Sequence, residues 1–168
     1  YDKIPINFTD VASWLPSTNL LCWYCHQAFK GIPWFEPLAI EPISEGFVNS
    51  INYINKAIKK KEKISIVVSG VFCTCNCVRA YINLNTVDTI ERINKIAMLK
   101  YVYEIFKGKS IPDIQPSPSP TLMIQYGGLL TIGDYQNQIN KLDNDYIHEL
   151  QNNNYANMCN IYLNKLDN

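Results

Sequence analysis

The spacing of the cysteines constrains this chain more than any other feature of its sequence. Three cysteines fall within five positions in VFCTCNCVRAY (71–81), and another pair, Cys22 and Cys25, stands upstream in LLCWYCHQAF. A C-x2-C pair followed by a C-x3-C pair is typical of a structural zinc site, because tetrahedral Zn²⁺ takes four soft ligands and a tight turn supplies two of them. The pattern therefore predicts one Zn²⁺ bound by Cys22, Cys25, Cys73 and Cys77.

The residues around the second cysteine pair predict a strand that leads into a helix. Residues 64–72 are β-branched and apolar, and residues 76–82 show a helical pattern. Cys73 and Cys77 then lie one turn apart on a shared face, while Cys75 points away. A knuckle at 22–25, followed by a strand and a helix, predicts a treble-clef-like four-cysteine zinc finger with an insertion between its two halves.

Three other interpretations of these cysteines stay open. A disulfide framework is disfavoured, because secreted disulfide scaffolds are usually shorter than this chain and richer in cysteine. A catalytic zinc is disfavoured, because such sites usually keep three protein ligands and one open position. His26 adjoins Cys25 and is an alternative ligand to it, although histidines in Cys–His fingers usually form a spaced group of their own.

Composition narrows the class of protein. The chain has 168 residues, 47% of them hydrophobic and 18% charged, with a formal net charge of zero. This length predicts one domain, with an appended subdomain at most, whose core does not depend on zinc alone. A neutral chain has no general attraction to nucleic acid, so such binding requires a local patch. Because no apolar stretch reaches the ~18 residues of a membrane span, we expect a soluble, intracellular protein with no membrane partner.

Upstream of the second cysteine pair, the sequence predicts an irregular arm (1–20), a proline-broken loop (31–42) and an amphipathic helix that begins at Ser44 and carries its last inward residue at Ile58. Lysines crowd the end of this helix: Lys56, Lys59, Lys60, Lys61 and Lys63. The first interpretation of the cluster is a solvated helix end. The second is a weak, sequence-independent contact with nucleic-acid phosphates.

Downstream, a long buried helix is predicted over 87–107, capped by Asn85 or Thr86 and ended by Gly108. Prolines over 110–120 predict an extended linker, residues 122–132 predict a β-hairpin, and two helices follow, over 134–150 and 155–166. The predicted fold is α+β and mainly helical, with a zinc-finger domain (1–109) that holds the inserted helix and the long buried helix. The linker (110–120) leads from it to a C-terminal part (121–168), whose hairpin and helices pack on the core.

No catalytic motif accompanies these elements. The sequence has no phosphate-binding loop, no H-E-x-x-H motif and no G-x-S-x-G motif, and its acidic residues form no recognisable pair. We therefore expect a binding protein and not an enzyme.

Four segments, in order along the chain, carry a resemblance to a known family. They are CWYCHQAF (22–29), IPWFEPLAIEP (32–42), GVFCTCNCVRAYI (70–82) and LMIQYGGLLTI (122–132). Together they resemble the second late transcription factor of poxviruses and its relatives in other large cytoplasmic DNA viruses, including an African swine fever virus counterpart. The stretch from Phe72 to Cys77 is similar to the FCS-type zinc finger, with Thr74 where serine is usual and Cys75 as an additional thiol. The family spacing favours Cys77 over Cys75 as the fourth ligand.

The resemblance implies a zinc-binding factor needed to start late gene transcription. It implies action with the viral RNA polymerase or other late transcription factors, in viral factories of the host cytoplasm. The zero net charge and the lack of a helix face rich in Arg, Asn and Gln favour protein contacts over base reading, with weak nucleic-acid contact as the lesser expectation. The alternative is a structural or virion-packaged interaction module in which zinc only supports the fold.

Overall fold

A computed structural model describes residues 3–42 and 64–142 of the chain. Its main elements, in chain order, are the strands β1 (Asn7–Phe8), β2 (Trp34–Pro42) and β3 (Ile64–Phe72), the helices α1 (Cys75–Asn85) and α2 (Thr89–Lys107), and a helix α3 over 132–142. The chain divides into two compact units, Tyr1–Pro120 and Thr121–Asn168. The fold is α+β, as predicted.

Strand β3 is the centre of a three-stranded antiparallel sheet with the order β1-β3-β2. Its first six side chains alternate between buried and half-buried, with Ile64, Ile66 and Val68 in the core. Such alternation of β-branched residues is what a strand with one covered face requires. The strand predicted over 64–72 is confirmed.

The prediction of a loop over 31–42 is wrong for most of its length, because Trp34–Pro42 forms β2. Proline lacks a backbone N–H, and β2 tolerates Pro37 and Pro42 because it is an edge strand, which need not donate on its outer side. A register shift between Pro37 and Ala39 also interrupts the ladder there. Pairing with β3 therefore outweighs the local tendency of the prolines to form a loop.

The two helices of the first unit lie close to the positions predicted from the sequence. Helix α2 begins slightly later than predicted, because the carboxylate of Asp88, and not Asn85 or Thr86, caps it by accepting a hydrogen bond from the backbone N–H of Glu91 at 2.7 Å. It ends at Gly108, which has a φ of 67°, as predicted. Met98 and Tyr103 are buried in the core.

An aromatic cluster joins the sheet, the N-terminal arm and α2. Phe8 of β1 lies 5.0 Å from Phe35 of β2, and Trp34 lies 4.7 Å from Phe106 of α2, measured between ring centroids. Trp14 of the arm packs edge-on to Phe8 and donates its indole N–H to the carbonyl of Pro33 at 2.9 Å. The arm therefore covers one face of the core.

Residues 110–120, here called the strap, are anchored along their length and do not behave as a solvated linker. Ile114 is fully buried and Ile111 nearly so. The side-chain amide of Asn76 donates to the carbonyl of Gln115 at 2.9 Å, and the backbone N–H of Ser117 donates to the carbonyl of Asn76 at 3.0 Å. The strap thus belongs to the first compact unit, which ends at Pro120.

The hairpin predicted over 122–132 does not form. Two short 3-10 helices, Pro120–Leu122 and Ile124–Tyr126, precede a turn at Gly127, which has a φ of 93°. Only an isolated parallel bridge joins Met123 to Leu130 in this segment. The 3-10 turns fold the chain back within a few residues, which leaves too little extended backbone for a two-stranded ladder.

Helix α3 begins with a reciprocal cap. The backbone N–H of Asp134 donates to the Thr131 hydroxyl at 3.1 Å, and the Thr131 backbone N–H donates to the Asp134 carboxylate at 3.4 Å. Thr131 therefore takes the N-cap place, and the helix begins at 132, two residues before its predicted start at 134. Tyr135 and Ile139 of this helix are buried.

Within residues 3–42 and 64–142, no helix combines the length and the apolar character that a membrane span needs. The predicted helix that begins at Ser44, the lysine cluster, the end of the helix over 134–150 and the last helix over 155–166 all lie outside the described residues.

Candidate metal centre

The first half of the centre is a tight turn that carries Cys22 and Cys25. The backbone N–H of His26 donates to the carbonyl of Cys22 at 2.9 Å, and the N–H of Cys22 donates to the carbonyl of Gln27 at 3.0 Å. His26 has a left-handed φ of 58°, a conformation that histidine adopts more readily than most residues with a side chain. These bonds close the turn and direct both thiols to the same side.

The second half is the junction between β3 and α1. Gly70 has a φ of 72° and sits at a register shift near the end of the β2–β3 ladder, which is the geometry of a glycine bulge. Thr74 then caps α1, since its hydroxyl accepts a hydrogen bond from the backbone N–H of Cys77 at 3.2 Å. Cys73 and Cys77 flank this cap, which brings their thiols together one turn apart.

A backbone hydrogen bond joins the two halves. The N–H of Trp23, between the two knuckle cysteines, donates to the carbonyl of Val71 at 2.7 Å. The knuckle is thereby placed against the end of β3, two residues before Cys73. The fold itself therefore brings together cysteines that are about fifty positions apart in the chain.

The four sulfur atoms have the separations of a tetrahedral metal site. Zn–S bonds of about 2.3 Å place the ligand sulfurs about 3.8 Å apart. The Sγ atoms of Cys25 and Cys73 are 3.7 Å apart, those of Cys73 and Cys77 are 3.5 Å apart, and all four, including that of Cys22, lie within 4.8 Å of one another. This set can hold one metal ion, and its four sulfur donors suit Zn²⁺.

The same distances argue against the disulfide interpretation. A disulfide requires a sulfur–sulfur distance of about 2.05 Å. All five cysteines within the described part of the chain are free thiols. The two halves of the centre therefore lie close together without a disulfide bond between them.

Burial and the hydrogen bonds between the thiols shift the pKa values of the four cysteines in different directions. Three of the thiols are buried and that of Cys73 is partly exposed. The pKa of Cys22 lies far below its usual value, because hydrogen bonds from Cys25, Cys73 and Cys77 favour its thiolate. The pKa of Cys73 lies far above it, because its hydrogen bonds to Cys22 and Cys25 favour the thiol. Without metal the cluster therefore keeps protons that a bound Zn²⁺ would displace.

Tyr24 shields the cluster on one side. It is about nine-tenths buried, and its pKa is raised by burial and by the nearby cysteine sulfurs. Trp23 is half exposed and packs against Phe72 and Tyr81. Tyr24 therefore shields the site, whereas Trp23 exposes about half of its surface.

The strap supplies a polar contact to the cluster. The hydroxyl oxygen of Ser117 lies 3.3 Å from the Sγ atom of Cys77, and Ser117 is buried. Sequence reasoning missed this residue, because SPSP (117–120) has the composition of a solvated linker. The buried isoleucines of the strap were the only local signal that it packs on the protein.

The remaining candidates lie outside the cluster. Cys75 is buried, with its thiol 3.6 Å from the side-chain oxygen of Asn76, and it is not one of the four clustered residues. His26 is exposed and contributes no atom to the metal-binding group found within the described residues. The predicted phosphate-contacting lysines fall outside the part of the chain that the structure describes.

Comparison with known proteins finds relatives in African swine fever virus. The chain is 27% identical over 141 residues to "Uncharacterized protein B175L" of a South African tick isolate, and equally to that of a Vero-adapted Badajoz strain. It is 28% identical over 141 residues to the protein of the same name from a Kenyan pig isolate. Each match covers 84% of this chain and 71% of the relative. No protein-family model and no solved structure matches the chain. Over most of its length, therefore, the chain is similar to a protein of African swine fever virus.

Proposed function

We propose that this chain is a viral zinc-binding protein whose Zn²⁺ is structural and is bound by Cys22, Cys25, Cys73 and Cys77. The observation that carries the proposal is the convergence of four thiols, from two distant parts of the sequence, at the separations of a tetrahedral site. Four sulfur ligands leave tetrahedral zinc no open position for a reactive water. A binding role therefore fits this centre better than catalysis.

Metal content tests this part directly. Native mass spectrometry of the purified protein should give one zinc per chain, and denaturation should release it. A protein purified in zinc-containing medium that carries no metal would refute the zinc site.

We infer further that the centre is a treble-clef-like finger. The arrangement that supports this inference is a knuckle at 22–25, the antiparallel pair β2 and β3, and α1 with the second cysteine pair at its start. Residues 43–63 fall between the two strands. The expectation of a mainly helical chain depends on residues outside the described ranges and stays a prediction.

For the biological role, we propose a factor in late viral transcription that acts with the viral RNA polymerase or other late transcription factors. The resemblance of four segments to the late transcription factor family supports this role, and so does the similarity to a viral protein. Leu84, Val87 and Ile90, around the α1–α2 corner, are exposed apolar residues of the kind that protein partners cover. Contacts with proteins are therefore the main proposal, and weak contact with DNA is the lesser one.

Depletion during infection tests the transcription role. Loss of the protein should lower late transcripts and leave early transcripts unchanged, and a tagged copy should collect in cytoplasmic viral factories. Restoring the wild-type chain should restore late transcripts, whereas a Cys22→Ser copy should not. Late transcripts that hold steady after depletion would refute this role and leave the zinc proposal intact.

The alternative is a structural or virion-packaged interaction module, which the closed four-cysteine site suits equally well. Isolation of the tagged protein from infected cells separates the two. Polymerase subunits or late factors among its partners would support the transcription role. Capsid or core proteins alone would support the structural one.

A further inference from the structure

The strap contacts both halves of the metal centre. On the knuckle side, the Tyr24 hydroxyl lies 3.4 Å from the carbonyl oxygen of Ser117 and 3.3 Å from that of Pro118, and it donates to them. On the helix side, the backbone N–H of Ser117 donates to the carbonyl of Asn76, which is the neighbour of Cys77. The strap is therefore anchored to both halves of the metal centre, and a bound zinc would hold those two halves together.

Ser117 also reaches the cluster itself. Its hydroxyl is 3.3 Å from the Sγ atom of Cys77, and the residue is only 5% exposed. A hydroxyl can donate to a sulfur that carries negative charge, and a metal-bound thiolate carries that charge permanently. A donor in this position stabilises the metal-bound form of Cys77 over its free form.

The strap has enough apolar contact to dock as a unit. Ile114 is fully buried and Ile111 is 7% exposed. Its prolines, at 112, 116, 118 and 120, restrict the undocked chain to extended conformations, so docking costs less conformational entropy than it would for a flexible segment. The docked strap is therefore held by a few apolar contacts and polar anchors, and its stability depends on those anchors.

We propose that Ser117 completes the metal centre as a hydrogen-bond donor to the zinc-bound sulfur of Cys77, and that zinc binding and strap docking stabilise each other. This inference rests on the proposed zinc site. Loss of zinc removes the tie between the knuckle, which carries Tyr24, and the start of α1, which carries Asn76, so the strap loses its fixed pair of anchors and opens. Because the coupling free energy is reciprocal, docking of the strap raises the affinity for zinc by the same factor by which zinc raises the docking equilibrium.

The first experiment measures zinc release from the full chain to a chromophoric chelator. Ser117→Ala should release zinc about 10-fold faster than wild type, the size typical for loss of a group that hydrogen-bonds a metal ligand. Ser119→Ala is the matched control, because Ser119 is an exposed serine of the same strap that also precedes a proline. Equal release rates for the two variants would overturn the proposal.

A second pair of variants tests docking without touching the polar contacts. Ile114→Ala and Ile40→Ala remove the same atoms from two buried isoleucines, one in the strap and one in β2. Both should lower the stability of the fold, but only Ile114→Ala should also speed zinc release. Equal effects of both variants on zinc release would mean that general loosening, and not strap docking, controls the metal.

Hydrogen exchange tests the reverse direction of the coupling. Removal of zinc from the wild-type chain should raise exchange in a peptide covering 111–118 more than in one covering 64–72. Strap protection that is the same with and without zinc would overturn the coupling. If the zinc-free chain exchanges everywhere, the release rates of the Ser117→Ala and Ser119→Ala variants decide. A wild-type chain that binds no zinc would refute the zinc site itself. A chain that binds zinc, but releases it at the same rate after Ser117→Ala, would refute only the role of Ser117.

Discussion

The ammonium of Lys95 on α2 lies 2.8 Å from the carboxylate of Glu36 on β2, and both side chains are almost fully buried. Lys95 also pairs with Glu91, one turn earlier on α2, whose side chain is 55% exposed. Burial opposes the charged form of Lys95, but its hydrogen bonds to Glu36 and Glu91 favour that form more strongly, so its pKa is raised. The stabilisation is thus complete below the ordinary pKa of lysine and is lost as the pH rises through the raised pKa.

This ion pair predicts unequal effects for its two acidic partners. Glu36→Gln should lower the free energy of unfolding by about 3 kcal/mol, because it leaves a buried ammonium poorly compensated. Glu91→Gln should cost less than about 1 kcal/mol, because water already screens the exposed carboxylate. Urea unfolding of the zinc-loaded protein measures both. The double variant Glu36→Leu with Lys95→Met should cost less than the sum of its single changes, and full additivity would contradict the assignment.

The ligand assignment predicts opposite outcomes for two neighbouring cysteines. Cys77→Ser should lose stoichiometric zinc, because its sulfur belongs to the cluster and lies 3.5 Å from that of Cys73. Cys75→Ser should keep one zinc per chain, because Cys75 lies outside the cluster. Native mass spectrometry of both variants gives the answer. Zinc retained by Cys77→Ser and lost by Cys75→Ser would move the fourth ligand by two positions.

The backbone at Gly70 predicts a local requirement for glycine. A Cβ atom there would lie 2.7 Å from Phe72 and 2.9 Å from Trp23, in a left-handed conformation with a φ of 72°. Gly70→Ala should therefore cost about 2 kcal/mol of stability and weaken zinc binding, because it displaces the strand end before Cys73. Gly108→Ala is the control: it has a similar φ but open space around it. It should cost about 1 kcal/mol and leave zinc affinity unchanged.

The lysine cluster, which lies outside the described residues, gives a prediction from the sequence alone. If it contacts phosphates, binding to duplex DNA should be weak, independent of sequence and steeply reduced by salt. Changing Lys59, Lys60 and Lys61 together to Gln should abolish that binding and leave the zinc content unchanged. Electrophoretic mobility shifts at two salt concentrations provide the measurement. DNA binding that survives the triple change would favour the interpretation of the lysine cluster as a solvated helix end.

Local signals predicted the parts of the fold that short segments determine alone. The alternation in 64–72 marked β3, and Gly108 marked the end of α2. Cysteine spacing selected the four residues that the structure brings together. The other parts of the fold depend on residues that are distant in the sequence. Strand β2 forms because β3 pairs with it despite its prolines, and the strap is held in place by its hydrogen bonds with Asn76 and Tyr24. No local pattern could reveal the pairing of Glu36 with Lys95, which are 59 positions apart.

The left-handed conformation of the turn residue His26 predicts which of two variants is the more stable. Its φ of 58° places it where glycine has no steric cost, whereas a residue with a Cβ loses about 1–2 kcal/mol. His26→Gly should therefore be more stable than His26→Ala by about 0.5–1 kcal/mol, after the greater entropy of an unfolded glycine is subtracted. Both variants lack the imidazole, but only His26→Ala keeps the Cβ atom and its steric cost. Thermal unfolding compares these variants, and zinc analysis of the same samples tests the ligand set. His26→Gly should keep one zinc per chain, because the sulfurs of Cys22 and Cys25 remain. Loss of zinc from both variants would make His26 a ligand and would overturn the four-cysteine site.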